Sequence, residues 1–251
     1  MKKVLIASYY FPPCPAEAAQ RTVSWAKHLS AFEIAPTVIT RHWKGNETDW
    51  LSLIAEDRRT ATRESKDGFD IIRLPYIPSR LFRREQFPWK IPLFYQLFFL
   101  WQHFRGRFEL ETDAWTCFRQ KVLEELNTGK YHAFVAVAPP HNLTPLVTEV
   151  SQKYRIHTVL DFQEAWKPTH NATESRQNWE IQNFKTRYTS WLKPIREIWT
   201  PDANAQTLLP LQKQILTINP CIIPSQTQEE DAKLFAKKLA DRIHTNWEQK
   251  K

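Results

Sequence analysis

Glycine is scarce in this sequence: Gly45, Gly68, Gly106 and Gly129 are the only four in 251 residues, and none follows Gly129. Phosphate-cradling motifs need glycine at fixed spacing, so neither a Walker A loop nor a G-x-G-x-x-G fingerprint is present. Cysteine is sparse as well. Cys14, Cys117 and Cys221 are odd in number and lack C-x-x-C spacing, which argues against a disulfide framework or a zinc knuckle and for a reducing compartment. No metal site and no cofactor is expected. Long apolar runs are missing too. Lys2 and Lys3 precede only a short run, Val4-Leu5-Ile6-Ala7, which leads into Tyr-Tyr-Phe-Pro-Pro. That pattern reads as a first strand and not as a signal peptide, and a cytoplasmic location is expected.

What is abundant is aromatic and basic. Aromatics make up 13% of the chain, with 11 Trp, and hydrophobic residues 42%, enough for a substantial core. The formal charge of +8 is concentrated: residues 58 to 107 hold 11 Lys/Arg against 4 Asp/Glu, leaving the other 201 residues near neutral. Within this region, residues 87 to 108 carry 9 of the 33 aromatics. Its apolar portions are too short to span a bilayer, which needs about 20 residues. Arg80, Arg83, Arg84, Trp89, Lys90, Trp101, Arg105 and Arg107 form a basic, aromatic surface for a membrane interface or a partner subunit. An anionic membrane inner face is the expected target, and a helix buried against the sheet is the alternative. No nucleic-acid motif accompanies the segment, so nucleic acid is not an expected partner.

Short apolar runs alternate with helical patterns. Strands are predicted at 4–8, 37–40, 71–74, 134–138, 158–162 and 197–200, and a helix at 18–32 with Val23, Ala26 and Leu29 on one face. This alternation indicates βαβ units: an α/β fold, one Rossmann-like domain with a mostly parallel sheet flanked by helices. The domain is expected to span residues 1–210, followed by a linker at 211–228 and a C-terminal amphipathic helix at 229–251. In that helix Phe235, Leu239, Ile243 and Trp247 recur at i+4 spacing and are expected to dock on the sheet domain. In open parallel sheets ligands sit beyond the carboxyl ends of the strands, so the loops after Ser8, Thr40, Ala138, Asp161 and Thr200 are the segments to inspect.

Three of those loops carry a resemblance. Ser8-Tyr9-Tyr10-Phe11-Pro12-Pro13 with Gln20-Arg21 opening a helix, Val137-Ala138-Pro139-Pro140-His141, and Leu160-Asp161-Phe162-Gln163-Glu164-Ala165-Trp166 together resemble the amino-terminal, acceptor-side half of family-4 glycosyltransferases of the GT-B fold. The resemblance covers residues 1 to about 210, and no candidate for the donor-binding acidic motif follows. It implies an acceptor-side module that needs a separate donor-domain partner. The alternatives are a non-catalytic partner subunit, or a peripheral membrane or nucleic-acid binder that reuses the fold.

By that resemblance Asp161 and His141 are the candidate catalytic residues, and Pro13, Cys14, Glu17, Gln20, Arg21, Pro140, Glu164 and Trp166 the candidate substrate-binding ones. Each also has a plainer role. Asp161 orients a hydroxyl, acts as a base, or caps its turn; His141 is catalytic or an ordinary loop residue. Trp166 stacks on a sugar or sits in a core. Arg21 holds an acceptor phosphate or pairs with Glu17 four residues earlier. Cys14 lacks a nearby activating base. Where the family commonly has glycines in the first loop, this chain has Cys14-Pro15-Ala16-Glu17-Ala18. Proline removes an N–H and Glu17 adds an anion, so the diphosphate cradle is expected to be lost.

Overall fold

The structure, a computed structural model, describes residues 1–47, 52, 55–77, 113–138, 143–162, 189–200, 215–217, 233–234 and 236–243. The elements in order are β1 (Lys2–Ser8), α1 (Glu17–Leu29) with a short 3-10 turn (Ser30–Phe32), β2 (Ile34–Arg41), β3 (Thr62–Lys66), β4 (Phe69–Leu74), α2 (Asp113–Asn127), β5 (Ala133–Ala138), α3 (Leu143–Lys153), β6 (His157–Phe162), β7 (Glu197–Thr200) and β8 (Ile215–Thr217). The strands form one eight-stranded sheet in the order β3-β4-β2-β1-β5-β6-β7-β8. All pairings are parallel except that of β3 with β4. The predicted α/β fold with a mostly parallel sheet is therefore the observed one, and all six predicted strands are present.

Alternation along the central strands explains why they are buried on both faces. Val4 and Ile6 of β1, with Val135 and Val137 of β5, face one side. Leu5 and Ala7, with Phe134 and Ala136, face the other. The first face is covered by Trp25, Ala26 and Leu29 of α1 and by Ala236, Leu239, Ala240 and Ile243 near the carboxyl terminus. The second is covered by Phe118, Val122 and Leu126 of α2 and Leu143, Leu146, Val147 and Val150 of α3. Residues 236–243 are helical, so Leu239 and Ile243 of the predicted stripe dock on the sheet; Phe235 and Trp247 lie outside the described residues. Arg242 Nε also reaches Glu197 Oε1 at 3.3 Å, and Glu197 Oε2 lies 2.9 Å from His157 Nε2.

Two strands were not predicted. All five residues of β3 are exposed, so no apolar pattern announces it. It is joined to β4 by Asp67 and Gly68 at φ 53° and 85°, the two-residue turn with positive φ at both positions that suits a twisted hairpin. Ion pairs Arg63–Asp70 (2.7 Å) and Arg73–Glu64 (2.9 Å) cross the hairpin and leave a charged edge strand. β8 is only three residues long.

The chain runs from β1 outward through β2 to β4, then returns to continue from β1 on its other side through β5, β6, β7 and β8. Strand order thus reverses between β1 and β5, with helices on opposite faces. The crevice beyond the carboxyl ends of these two strands is where a ligand is placed in such sheets.

Candidate functional site

The loop after β1 is braced by hydrogen bonds, and its residues 12–15 offer no backbone donor. Pro12, Pro13 and Pro15 have no N–H to give, and the Cys14 N–H donates to Phe11 O at 3.1 Å. No backbone donor is left at residues 12–15. Other elements brace the loop: Arg73 Nη1 donates to Pro12 O (2.8 Å), Trp43 Nε1 to Tyr9 O (3.0 Å), and Thr40 Oγ1 to Tyr9 O (3.0 Å). Inside, Ser8 Oγ donates to Tyr10 O at 2.8 Å and lies 2.9 Å from Thr22 Oγ1 on α1. Residues 12–15 thus offer prolines and one internally bonded N–H.

Beneath the loop lies a cluster that sequence reading missed. Arg41, at the end of β2, is 3% exposed. Its Nε donates to His42 O (3.0 Å), Nη1 to Tyr9 Oη (2.9 Å) and Nη2 to Ala55 O (2.9 Å). The guanidinium lies 3.8 Å from the Tyr76 ring centroid and 4.3 Å from that of Trp43, a desolvated cation against two aromatic faces. Burial pushes the Tyr9 hydroxyl well above its ordinary pKa, with Arg41 opposing, so Tyr9 stays a neutral acceptor for Arg41. Cys14 is buried here too, and burial raises its thiol. A raised thiol is not a nucleophile at neutral pH.

The loop after β2 folds around its own acid. Glu47 Oε1 accepts from Lys44 N–H (2.7 Å) and Oε2 from Gly45 N–H (2.9 Å). Burial pushes the Glu47 carboxyl up, but these N–H groups, its own N–H and the Arg41 charge together hold it below its ordinary value. A cavity of about 190 Å³ opens between this loop and residues 52–57, with Arg41, Lys44, Glu47 and Asp57 in its wall. Asp57 is held down to about 2, first by hydrogen bonds from Arg59. The two buried acids in its wall, Glu47 and Asp57, already have partners within the protein. Among the described residues no cluster of His, Cys, Asp or Glu could hold a metal ion. No described helix is long and apolar enough to cross a membrane.

The switch-point mouth does bring together two residues singled out from the sequence. Asp161, fully buried on β6, accepts a hydrogen bond from Arg21 Nη2 of α1 at 3.0 Å, across 140 residues. Neither reading of Arg21 drawn from the sequence named this partner. Oδ1 of Asp161 is thus already engaged by a cation from α1. Among the other predicted site residues, Pro13 and Gln20 are exposed and Cys14 is buried. Glu17 opens α1, but its side chain lies outside the described residues, as do Pro140, His141, Glu164 and Trp166. The basic aromatic positions Arg80, Arg83, Arg84, Trp89, Lys90, Trp101, Arg105 and Arg107 lie outside them too.

No family model matches the sequence, and no curated protein matches it. Solved structures similar to the chain include a sucrose-phosphate synthase from Thermosynechococcus elongatus, at 12% identity and TM-score 0.43, covering 97% of this chain and 99% of that one. Another is a ugt transferase from Siraitia grosvenorii in complex with UDP, at 10% identity and TM-score 0.42, covering 92% of this chain and 54% of that one. A third is a UDP-glucosyltransferase from Polygonum tinctorium, at 10% identity and TM-score 0.44, covering 90% of this chain and 54% of that one. The chain thus spans about half the length of these two plant transferases.

Proposed function

We propose that this chain is the acceptor-side module of a two-domain glycosyltransferase, with sugar transfer dependent on a donor-binding domain outside these 251 residues. One observation carries the reading. The three segments that resemble family-4 glycosyltransferases begin at the carboxyl ends of β1, β5 and β6, neighbours in the sheet. A motif set scattered by chance has no reason to converge on one mouth. The hydrogen-bonded loop at residues 12–15 supports the division of labour, because it offers a nucleotide diphosphate no backbone donors.

A second reading, a non-catalytic partner subunit descended from such an enzyme, is favoured by the Arg21–Asp161 pair. Its carboxylate is engaged by an internal partner where an acceptor hydroxyl would have to reach it.

Binding measurements on the isolated chain test the proposal. Calorimetry with UDP-, GDP- and ADP-sugars is expected to give no micromolar binding. Magnetisation transfer from the protein to neutral saccharides is expected and should weaken when Gln20, exposed on the first turn of α1, is substituted. Tight binding of any nucleotide-sugar to the chain alone would overturn the acceptor-module reading. Absence of saccharide contact would leave the non-catalytic subunit in its place.

A further inference from the structure

Arg21 begins the second turn of α1. Its side chain is 19% exposed and its guanidinium lies 4.8 Å from the ring centroid of Trp25, one turn further along the helix. Arginine offers five N–H donors in a planar fork. Among the described residues Arg21 makes one hydrogen bond, from Nη2 to Asp161 Oδ1. Trp25 lies against the fork and Asp161 holds one corner of it. Among the described residues the remaining donors of this held, partly desolvated group have no hydrogen-bond partner, and its anchor Asp161 lies at the carboxyl end of β6, beside β5.

We propose that Arg21 is an oxyanion subsite that takes the phosphate group of a small-molecule ligand, with Asp161 and Trp25 as its positioning residues. A planar guanidinium accepts a tetrahedral oxyanion through two parallel hydrogen bonds, a geometry that lysine cannot reproduce. Residues 12–15 in the loop after β1 have no backbone N–H to give, so an anion reaching this mouth is recognised by a side chain or by nothing in that loop. Asp161 plays two opposed parts. It orients the fork, and its own charge repels the incoming anion, so the subsite is restrained until a dianion with both hydrogen bonds is offered. This deepens the reading of the mouth as an acceptor site and rests on it for location, but the anion can be measured without any sugar.

The test is an NMR titration of the full chain, labelled with nitrogen-15 arginine, with inorganic phosphate and separately with a hexose monophosphate. The Arg21 Nε–H resonance is assigned from its loss in Arg21→Gln. Saturable movement of that resonance is expected. Arg21→Lys should weaken binding about tenfold or more, the value of one charge-assisted hydrogen bond. Asp161→Asn, which keeps the accepting oxygen and removes the charge, should tighten it. A purely structural tether predicts the opposite set: both variants lower the melting temperature and neither changes anion affinity. That result, or unaltered phosphate binding in Arg21→Gln, overturns the proposal. Tighter binding of the hexose monophosphate identifies a soluble sugar phosphate as the source; equal binding identifies the phosphate group alone as what is recognised. If phosphate binds at Arg21 while neutral saccharides leave the mouth unperturbed, the subsite stands and the glycosyltransferase reading falls.

Discussion

At Gly45 the backbone has φ +88°, and a Cβ placed there would lie 3.1 Å from Cβ of Pro13. Two penalties therefore meet at one position. Left-handed backbone costs an ordinary residue about 1–2 kcal/mol, and the methyl also presses on the loop after β1. Gly129, with φ +69° and nothing within 4 Å of its would-be Cβ, carries only the first penalty. Gly45→Ala is expected to lower the urea midpoint more than Gly129→Ala; equal losses would show that the two loops do not lean on each other. The one glycine this site requires thus stands in the neighbouring loop and not in the first. Sequence reading found Arg21 and Asp161 but not their bond, because a contact across 140 residues depends on α1 covering the same sheet face as Asp161. It passed over Arg41 altogether. A buried arginine looks like any surface cation until Tyr9, Trp43 and Tyr76 are seen around it.

The helical residues 236–243 are the element whose docking is most open to measurement. Leu239 and Ile243 are 0% and 2% exposed, so Leu239→Ala should cost about 2–5 kcal/mol, the usual range for a large-to-small change in a core. Truncation before Glu229 should remove the whole contact, lower the melting temperature and expose the sheet face carrying Val135 and Val159 to aggregation. An unchanged melting temperature in both would detach this helix from the fold. The central strands were legible because burial on both faces makes them continuous apolar runs. β3 was illegible for the converse reason. Thr62–Lys66 is exposed throughout, its place is set by pairing with β4, and the Asp67-Gly68 turn was its only local signal. Helix 236–243 was legible in part: Leu239 and Ile243 fit the stripe, while Ala236 and Ala240, too small to stand out in the sequence, complete the buried face.

Among the described residues, four carboxylates are held below their ordinary pKa: Glu47, Asp57, Glu125 and Glu197. Burial opposes the charge of Glu125 and Glu197. Tyr131 and Lys130 outweigh it at the first, and His157 and Arg242 at the second. A depressed carboxyl pKa contributes stability that is complete above the unfolded value and is lost as pH falls through the folded one. The melting temperature should therefore hold near neutrality and drop from about pH 5 downward as these groups are forced to protonate. Asp57, held from 3.8 to about 2, governs the lowest part of that descent, and Asp57→Asn should flatten it there. A profile with the same acid slope in Asp57→Asn would remove Asp57 from the account.

The sheet order has a consequence for how the chain is made. β1 leaves the ribosome shortly before β2, which can pair with it at once, Lys2 with Ile34 through Ala7 with Ile39. Its other edge belongs to β5, where Val4 pairs with Ala133 and Ser8 with Val137. At about 5–20 residues per second, that second partner arrives about 5–20 s after β2 is complete. For all of that interval the strand destined for the centre of the molecule stands at its margin, with unpaired backbone and Val4, Leu5 and Ile6 in reach of other nascent chains. Ribosome-bound fragments that stop before Ala133 should therefore recruit holdase chaperones, and fragments that extend past β5 should release them.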